Sequence, residues 1–182
     1  MASFCTQAGP VSFAVVGDDS GAWPQILSSV GFAQGHGLPV GVYVIRGGEA
    51  PPELMDRVNQ GAFAILEGDS EVTAKLGFVA TKKRVVVQSI VDRRAPKLEI
   101  VWEKEQELPV FEMPKTAVVF AEERWQHAPM LAGMNVGKGG VLWLASSPGK
   151  LGYERYPYLL QALGDLGLQP PVRSARLWAF FD

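Results

Sequence analysis

The polar residues of this 182-residue chain that could do chemistry collect directly after short apolar runs. They follow five such runs: Asp18, Asp19 and Ser20; Arg46 and Glu49; Glu67, Asp69 and Ser70; Glu122, Arg124 and His127; Ser146 and Ser147. In an open parallel sheet, ligands bind outside the carboxyl ends of the strands, so these positions would share one cleft. Such a cleft could hold a polar ligand such as a sugar, or a divalent ion through oxygen ligands.

The same residue types are also ordinary turn and helix-cap residues, and that interpretation stays open. The sequence has no compact loop of several carboxylates, and its single Cys and two His form no zinc-binding pattern, so we expect neither a metal nor a cofactor. We predict no catalytic residue. The candidate ligand-binding residues are Asp18, Asp19, Arg46, Glu67, Asp69, Ser70, Arg124, Trp125, His127 and Ser147. Among them, Trp125 has polar neighbours and could stack on a sugar ring.

The elements that must position these residues begin as βα units. The apolar runs 11–16, 40–45 and 62–66 predict buried strands, and each is followed by a segment with helical spacing or a helix-start signal. Ser70 is a predicted helix N-cap. Buried strands are also expected at 117–121 and 141–145, and a helix at 156–166 that ends at Gly167.

Between these units the pattern changes. Residues 84–91, 98–103 and 110–113 predict three strands, the last two with alternating apolar and polar residues. We therefore predict an α/β fold with three α/β/α layers, a mostly parallel sheet and a β-rich excursion at about 84–116.

Composition excludes several classes of protein. A hydrophobic content of 47% with a formal net charge of −2 argues against disorder and, without a basic block, against nucleic acid as a partner. One Cys excludes an internal disulfide, and no apolar run approaches the roughly 18 residues of a membrane helix. The first ten residues carry no signal-peptide pattern.

We expect a single domain over residues 1–182. The chain finishes on Leu177-Trp178-Ala179-Phe180-Phe181-Asp182, a strand-like aromatic run without a polar tail. Since an exposed apolar strand invites edge pairing, the expectation is that this domain is the N-terminal part of a longer protein.

Three segments resemble the class I glutamine amidotransferase-like fold, a flavodoxin-like domain. Residues 63–68 look like its third strand, residues 84–89 like the strand before its nucleophile elbow, and residues 139–149 like the strand that ends in its His-Pro-Glu motif. The elbow region Val87-Gln88-Ser89-Ile90-Val91 lacks the Cys and the glycines, and Ser147 stands where the His would be. A Ser nucleophile at Ser89 would still need a base. The glutaminase nucleophile and base are therefore absent.

Catalytically empty domains of this family occur beside glycoside hydrolase barrels, and the resemblance implies a bacterial protein in a secreted or periplasmic location. Our first hypothesis is thus a non-catalytic accessory or interaction module of a carbohydrate-active protein, a pseudoenzyme. Its partner would be a C-terminal catalytic domain of the same polypeptide or a self-association surface, with carbohydrate as a further candidate. Two alternatives stay open: a stand-alone hydrolase using Glu67 or Asp69, and a sugar-binding module using Arg46, Arg124 and Trp125.

Overall fold

The computed structural model of the chain describes residues 12–17, 21–35, 39–47, 49–149 and 156–171. Within these ranges, nine strands form one sheet, and four helices accompany it. The strands are β1 (Ser12–Gly17), β2 (Ala33–Gln34), β3 (Val42–Arg46), β4 (Phe63–Glu67), β5 (Val79–Asp92), β6 (Glu99–Glu112), β7 (Val118–Glu123), β8 (Pro129–Val136) and β9 (Gly139–Leu144). The helices are α1 (Trp23–Ser29), α2 (Leu54–Gln60), α3 (Glu71–Lys75) and α4 (Tyr156–Asp165). The aromatic run at 177–182 lies outside the described residues.

One half of the sheet is parallel, as the apolar runs predicted. The strand order is β2-β1-β3-β4-β9-β8-β7-β5-β6, and the pairs from β2 to β9 are all parallel. The central strands β3 and β4 are buried except at their last residues, which is typical of strands covered on both faces. The carboxyl ends of β3, β4 and β9 therefore meet at one edge of the sheet.

The other half is antiparallel, and here the predicted fold class is wrong. Four of the eight strand pairings are antiparallel, and β9 is the boundary because it runs parallel to β4 and antiparallel to β8. The helices have only 7, 7, 5 and 10 residues, whereas β5 and β6 have 14 each. The structure is a β-rich mixed sheet and not a three-layer flavodoxin-like α/β/α domain. The physical reason is that successive strands from β5 onward connect by hairpins and turns instead of crossover helices.

Two of the strands predicted in the β-rich excursion are a single strand in the structure. The segments at 98–103 and 110–113 belong to one continuous strand, β6. It is the outermost strand of the sheet, with a neighbour on one side only, and so tolerates Pro109. The excursion is a long ribbon of β5 and β6 that reaches back to β9, where Phe78 stacks on Trp143 at 5.2 Å between ring centroids. Phe111 meets the same indole edge-on at 4.6 Å. These contacts place the ribbon beside the strand ends of β4 and β9.

Helix α4 is held in place by Arg94, which lies in the turn after β5. Its guanidinium binds Asp92 at 2.6 Å, Asp165 of α4 at 2.9 Å and the Tyr158 carbonyl at 2.8 Å. Burial alone would lower the pKa of Arg94, but hydrogen bonds and charge from Asp92 and Asp165 raise it. Arg94 thus joins the antiparallel half to the last described helix as a permanent cation.

Candidate functional site

The carboxyl ends of the parallel strands bring three of the predicted site residues together. Arg46 ends β3, Glu67 ends β4, and Ser147 follows β9 by three residues. Trp23, the first residue of α1, joins them. We call Trp23, Arg46, Glu67 and Ser147 the edge cluster.

Glu67 is the centre of the edge cluster. Its Oε1 accepts a hydrogen bond from Trp23 Nε1 at 2.7 Å, and its Oε2 accepts from Arg46 Nε at 2.8 Å and from the Ser147 hydroxyl. Arg46 Nη2 also donates to Ser147 Oγ at 3.2 Å. Both carboxylate oxygens are therefore engaged by groups of the protein itself.

The Arg46–Glu67 pair is largely removed from solvent. The Arg46 side chain is 12% exposed and the Glu67 side chain 6%. The guanidinium lies directly against Gly21, where a Cβ would come within 2.2 Å of Arg46 Nη1. A glycine is thus required at position 21 for Arg46 to reach Glu67.

A shallow cleft of about 360 Å³ opens above this pair, lined by Arg46, Gly47, Glu67, Gly68, Ser146 and Ser147. The β5–β6 ribbon reaches the same place, because Ser146 Oγ donates to Gln106 Oε1 of β6 at 2.8 Å. The cleft is small, its carboxylate is paired, and part of its rim is tied to the ribbon. Its geometry fits a structural clamp better than a reaction centre.

The remaining residues predicted after β1 and β4 have different placements. Asp18 and Asp19 lie outside the described residues. Ser70 caps α3, since its side chain accepts from the Thr73 amide while the Thr73 hydroxyl accepts from the Ser70 amide. Asp69, between Glu67 and this cap, is exposed. The cap interpretation of Ser70 is confirmed.

Arg124, Trp125 and His127 lie on the turn between β7 and β8, and we call residues 124–127 the display turn. The turn is at the same edge of the sheet as Ser147, because β8 begins beside the end of β9, with Ala145 N donating to Met130 O at 3.0 Å. Strand β8 separates β9 from β7 in the sheet. The predicted residues therefore form two groups along one edge instead of a single cleft.

The display turn is surrounded by ion pairs. His127 Nδ1 lies 2.8 Å from Glu122 Oε1, and Arg93 Nε lies 3.2 Å from the other oxygen of Glu122. Arg124 pairs with Glu99 of β6, which also accepts a hydrogen bond from Ser89 at 2.6 Å. The hydrogen bond from Ser89 is the main cause that lowers the pKa of Glu99; desolvation opposes it, and the hydrogen bond and charge of Arg124 lower the pKa further.

Glu123, which sequence reasoning missed, holds the display turn from beneath. It is 1% exposed, and its Oε2 accepts the backbone amides of Trp125 and Gln126. Its Oε1 is buried and has no hydrogen-bond partner among the described residues. No signal in the sequence distinguishes it from Glu122, because register shifts in β7 and β8 interrupt the alternation of inward and outward side chains at this point.

The position that the family resemblance assigned to a nucleophile elbow is regular strand. Ser89 pairs with Val101 inside the antiparallel β5–β6 ladder, is 2% exposed and donates to Glu99. A nucleophile at a strand-to-helix turn needs a different backbone. The mixed, β-rich sheet makes the flavodoxin-like description wrong, and nothing in the described residues supports the glutamine amidotransferase-like resemblance.

Within the described ranges, no group of three or more His, Cys, Asp or Glu side chains could hold a metal ion. None of the helices in these ranges has the length and apolarity needed to cross a membrane.

Comparisons with known proteins report a shared fold at low sequence identity. No family model and no curated protein matches the sequence. A cytoplasmic protein from Salmonella typhimurium LT2 is similar in structure, with a TM-score of 0.61 and 14% identity over 85% of this chain and 99% of that one. A carbohydrate deacetylase matches with a TM-score of 0.58 and 11% identity, over 84% of this chain and 31% of its own. The β-galactosidase from Rahnella sp. R3 matches with a TM-score of 0.54 and 12% identity, over 89% of this chain and 32% of its own.

Proposed function

We propose that the chain is a non-catalytic interaction module of a carbohydrate-active protein. The observation that carries this proposal is the pairing of Glu67, whose two oxygens are engaged by Trp23, Arg46 and Ser147. The edge cluster then serves to lock α1 and the ends of β3, β4 and β9 together. A locked edge is the property required of a domain that presents a fixed surface to a partner.

The surroundings of Glu67 argue against the hydrolase alternative, in which Glu67 acts as a general acid or base. A general acid or base must exchange a proton with the substrate within hydrogen-bond reach. Glu67 is buried against a permanent cation, and Ser147 closes its Oε2. The second carboxylate, Asp69, is exposed and lies beside the α3 cap.

The share of each structural neighbour's chain that matches this fold supports a modular role. The same fold makes up nearly a whole chain in the Salmonella protein and about a third of two enzymes whose names refer to carbohydrates. The fold is thus used both alone and as one part of a larger chain. On this proposal, the partner is a catalytic domain that acts on carbohydrate, or a second copy of the chain.

Turnover assays test the proposal. The chain is incubated with aryl glycosides and with acetylated oligosaccharides, alongside Glu67→Gln and the matched control Glu71→Gln, an exposed acid on α3. We expect no turnover with any of the three proteins. Turnover that falls about a hundredfold or more in Glu67→Gln alone, with the circular dichroism spectrum unchanged, would refute the non-catalytic assignment, because acid–base groups contribute that much.

A further inference from the structure

Trp125 is an exposed aromatic side chain, whereas the other tryptophans that the structure describes are buried or half-buried. Its exposed fraction is 64%, the highest among the large hydrophobic side chains of the described ranges, whereas Trp23 and Trp143 are fully buried. Exposed single hydrophobic residues are common. Trp125 differs because the structure holds it outward with a buried charge.

Glu123 holds Trp125 outward at a cost. A buried carboxylate with one unpaired oxygen is energetically unfavourable. A Ser or Asn side chain can hold a turn of this kind without burying a charge. His127 adopts a φ of 56°, in the left-handed region that few non-glycine residues take, although His, Asn and Asp occur there more often than the others. Unfavourable features that fix a local geometry are typical of functional sites.

The groups around the indole ring suit a sugar. Arg124 lies over the ring at 6.0 Å from its centroid, at the outer limit of a cation–π contact, so much of the ring surface stays open. Glu99, through its pair with Arg124, and His127, through its pair with Glu122, add fixed donors and acceptors on the display turn and the neighbouring strands. An aromatic face with planar polar groups beside it can match the C–H face and the hydroxyls of a pyranose.

We propose that the display turn is a carbohydrate-binding platform, on which Trp125 stacks against a pyranose ring and Arg124 and Glu99 bind its hydroxyls. The choice of ligand class rests on the proposed function, while the site itself rests on the geometry of the turn. A protein partner is less favoured. Trp125 has charged neighbours, whereas an interface hot spot is surrounded by packed contacts that exclude water. Nucleic acid is disfavoured because Glu99 and Glu122 neutralise the arginines that would meet phosphate.

Binding measurements test the platform directly. Isothermal titration calorimetry and native-gel retardation use neutral oligosaccharides and soluble polysaccharides of galactose, mannose, glucose and N-acetylglucosamine. We expect at least one to bind, and Trp125→Ala to weaken that binding about tenfold or more. Val118→Ala, which truncates an exposed side chain on β7, the strand that leads into the display turn, is the matched control and should leave the affinity unchanged.

Glu123→Gln tests the support beneath the ring. The amide keeps the shape of the carboxylate but is a weaker acceptor for the backbone amides of Trp125 and Gln126, so we expect weaker binding with the fold intact and a turn that is cleaved faster by protease. Affinity unchanged in Glu123→Gln would refute the positioning role of Glu123.

The platform is refuted if no saccharide of the panel binds, or if Trp125→Ala binds as tightly as the parent. A change in self-association on Trp125→Ala without any saccharide binding would assign the ring to a protein interface instead. These results are separable from the proposed function. If no saccharide binds at Trp125, the result of the turnover assays is unaffected. If turnover depends on Glu67, saccharide binding at Trp125 is still a separate result.

Discussion

Replacing Arg46 with Met should destabilise the fold strongly, because it leaves Glu67 as a buried charge without its cation. Glu67 is 6% exposed and would retain only its hydrogen bonds from Trp23 and Ser147 among those described here. Breaking a buried ion pair by removing one partner costs about 3–5 kcal/mol. In a domain of this size that corresponds to a fall in Tm of roughly 6–20 °C.

A double-mutant cycle separates the charge effect from lost packing. In Glu67→Gln the charge is gone, so Arg46→Met should cost less in that background than in the parent, by about 0.5–3 kcal/mol of coupling. Urea unfolding followed by circular dichroism gives the free energy of unfolding for each of the four proteins. The slope of the unfolding free energy against urea should stay constant across them.

Arg84→Met is the matched control, because Arg84 pairs with Glu107 at 3.5 Å on the ribbon surface, where the two side chains are 50% and 63% exposed. An exposed pair of this kind contributes about 0–1 kcal/mol. If Arg46→Met costs no more than Arg84→Met, or if Glu67→Gln fails to reduce its effect, the edge cluster is not a clamp. The main argument for the proposed function would then be lost.

Three further outcomes are expected. Arg94→Met should lower the free energy of unfolding by about 3–5 kcal/mol in urea titrations, since it leaves Asp92, whose side chain is 2% exposed, without its cation. Ser70→Ala should cost about 1 kcal/mol in the same assay, because it removes the α3 cap. The pair of Glu99 and Arg124 should be intact above the ordinary glutamate pKa of 4.5 and should be lost as the pH falls through the lowered pKa of Glu99. An NMR titration of the Arg124 side chain that shows its change at or above 4.5 would contradict this.

The parallel half of the sheet could be predicted because its residues obey simple local rules. Continuous apolar runs such as 62–66 have the signature of strands buried on both faces, and the residues that follow them are polar. Arg46, Glu67 and Ser147 come from separate runs, and the parallel topology alone brings their side chains to one edge. The carboxyl-end rule therefore located Arg46, Glu67 and Ser147 of the edge cluster but not Trp23, and the ligand-binding role assigned to the three residues stays a prediction.

The sequence predicts strands within β5, β6 and β7 of the antiparallel half, but the same rules do not reveal β8. Strand β8 is buried from Met130 to Met134 and so shows no alternation, and the sequence Leu-Ala-Gly between them has little strand character. At Gly133 a Cβ would come within 2.8 Å of Leu166 Cδ1, which directly follows α4, so a larger residue would crowd this contact. The two-residue turn Gly137-Lys138, with φ of 59° at Gly137, is the feature of the sequence that indicates the hairpin between β8 and β9.

Two regions along one edge of the sheet differ in what they leave open to a ligand. In the edge cluster, Glu67 has both oxygens engaged, so a ligand there would have to displace Arg46 or Ser147 before it could bind. On the display turn, the buried Glu123 carboxylate accepts a hydrogen bond from the Trp125 backbone amide, and the Trp125 side chain remains exposed. Of these two regions, the display turn is therefore the one that presents an exposed aromatic ring to a ligand. It follows that substitutions in the edge cluster should change the stability of the fold, while substitution of Trp125 should change binding with little effect on stability.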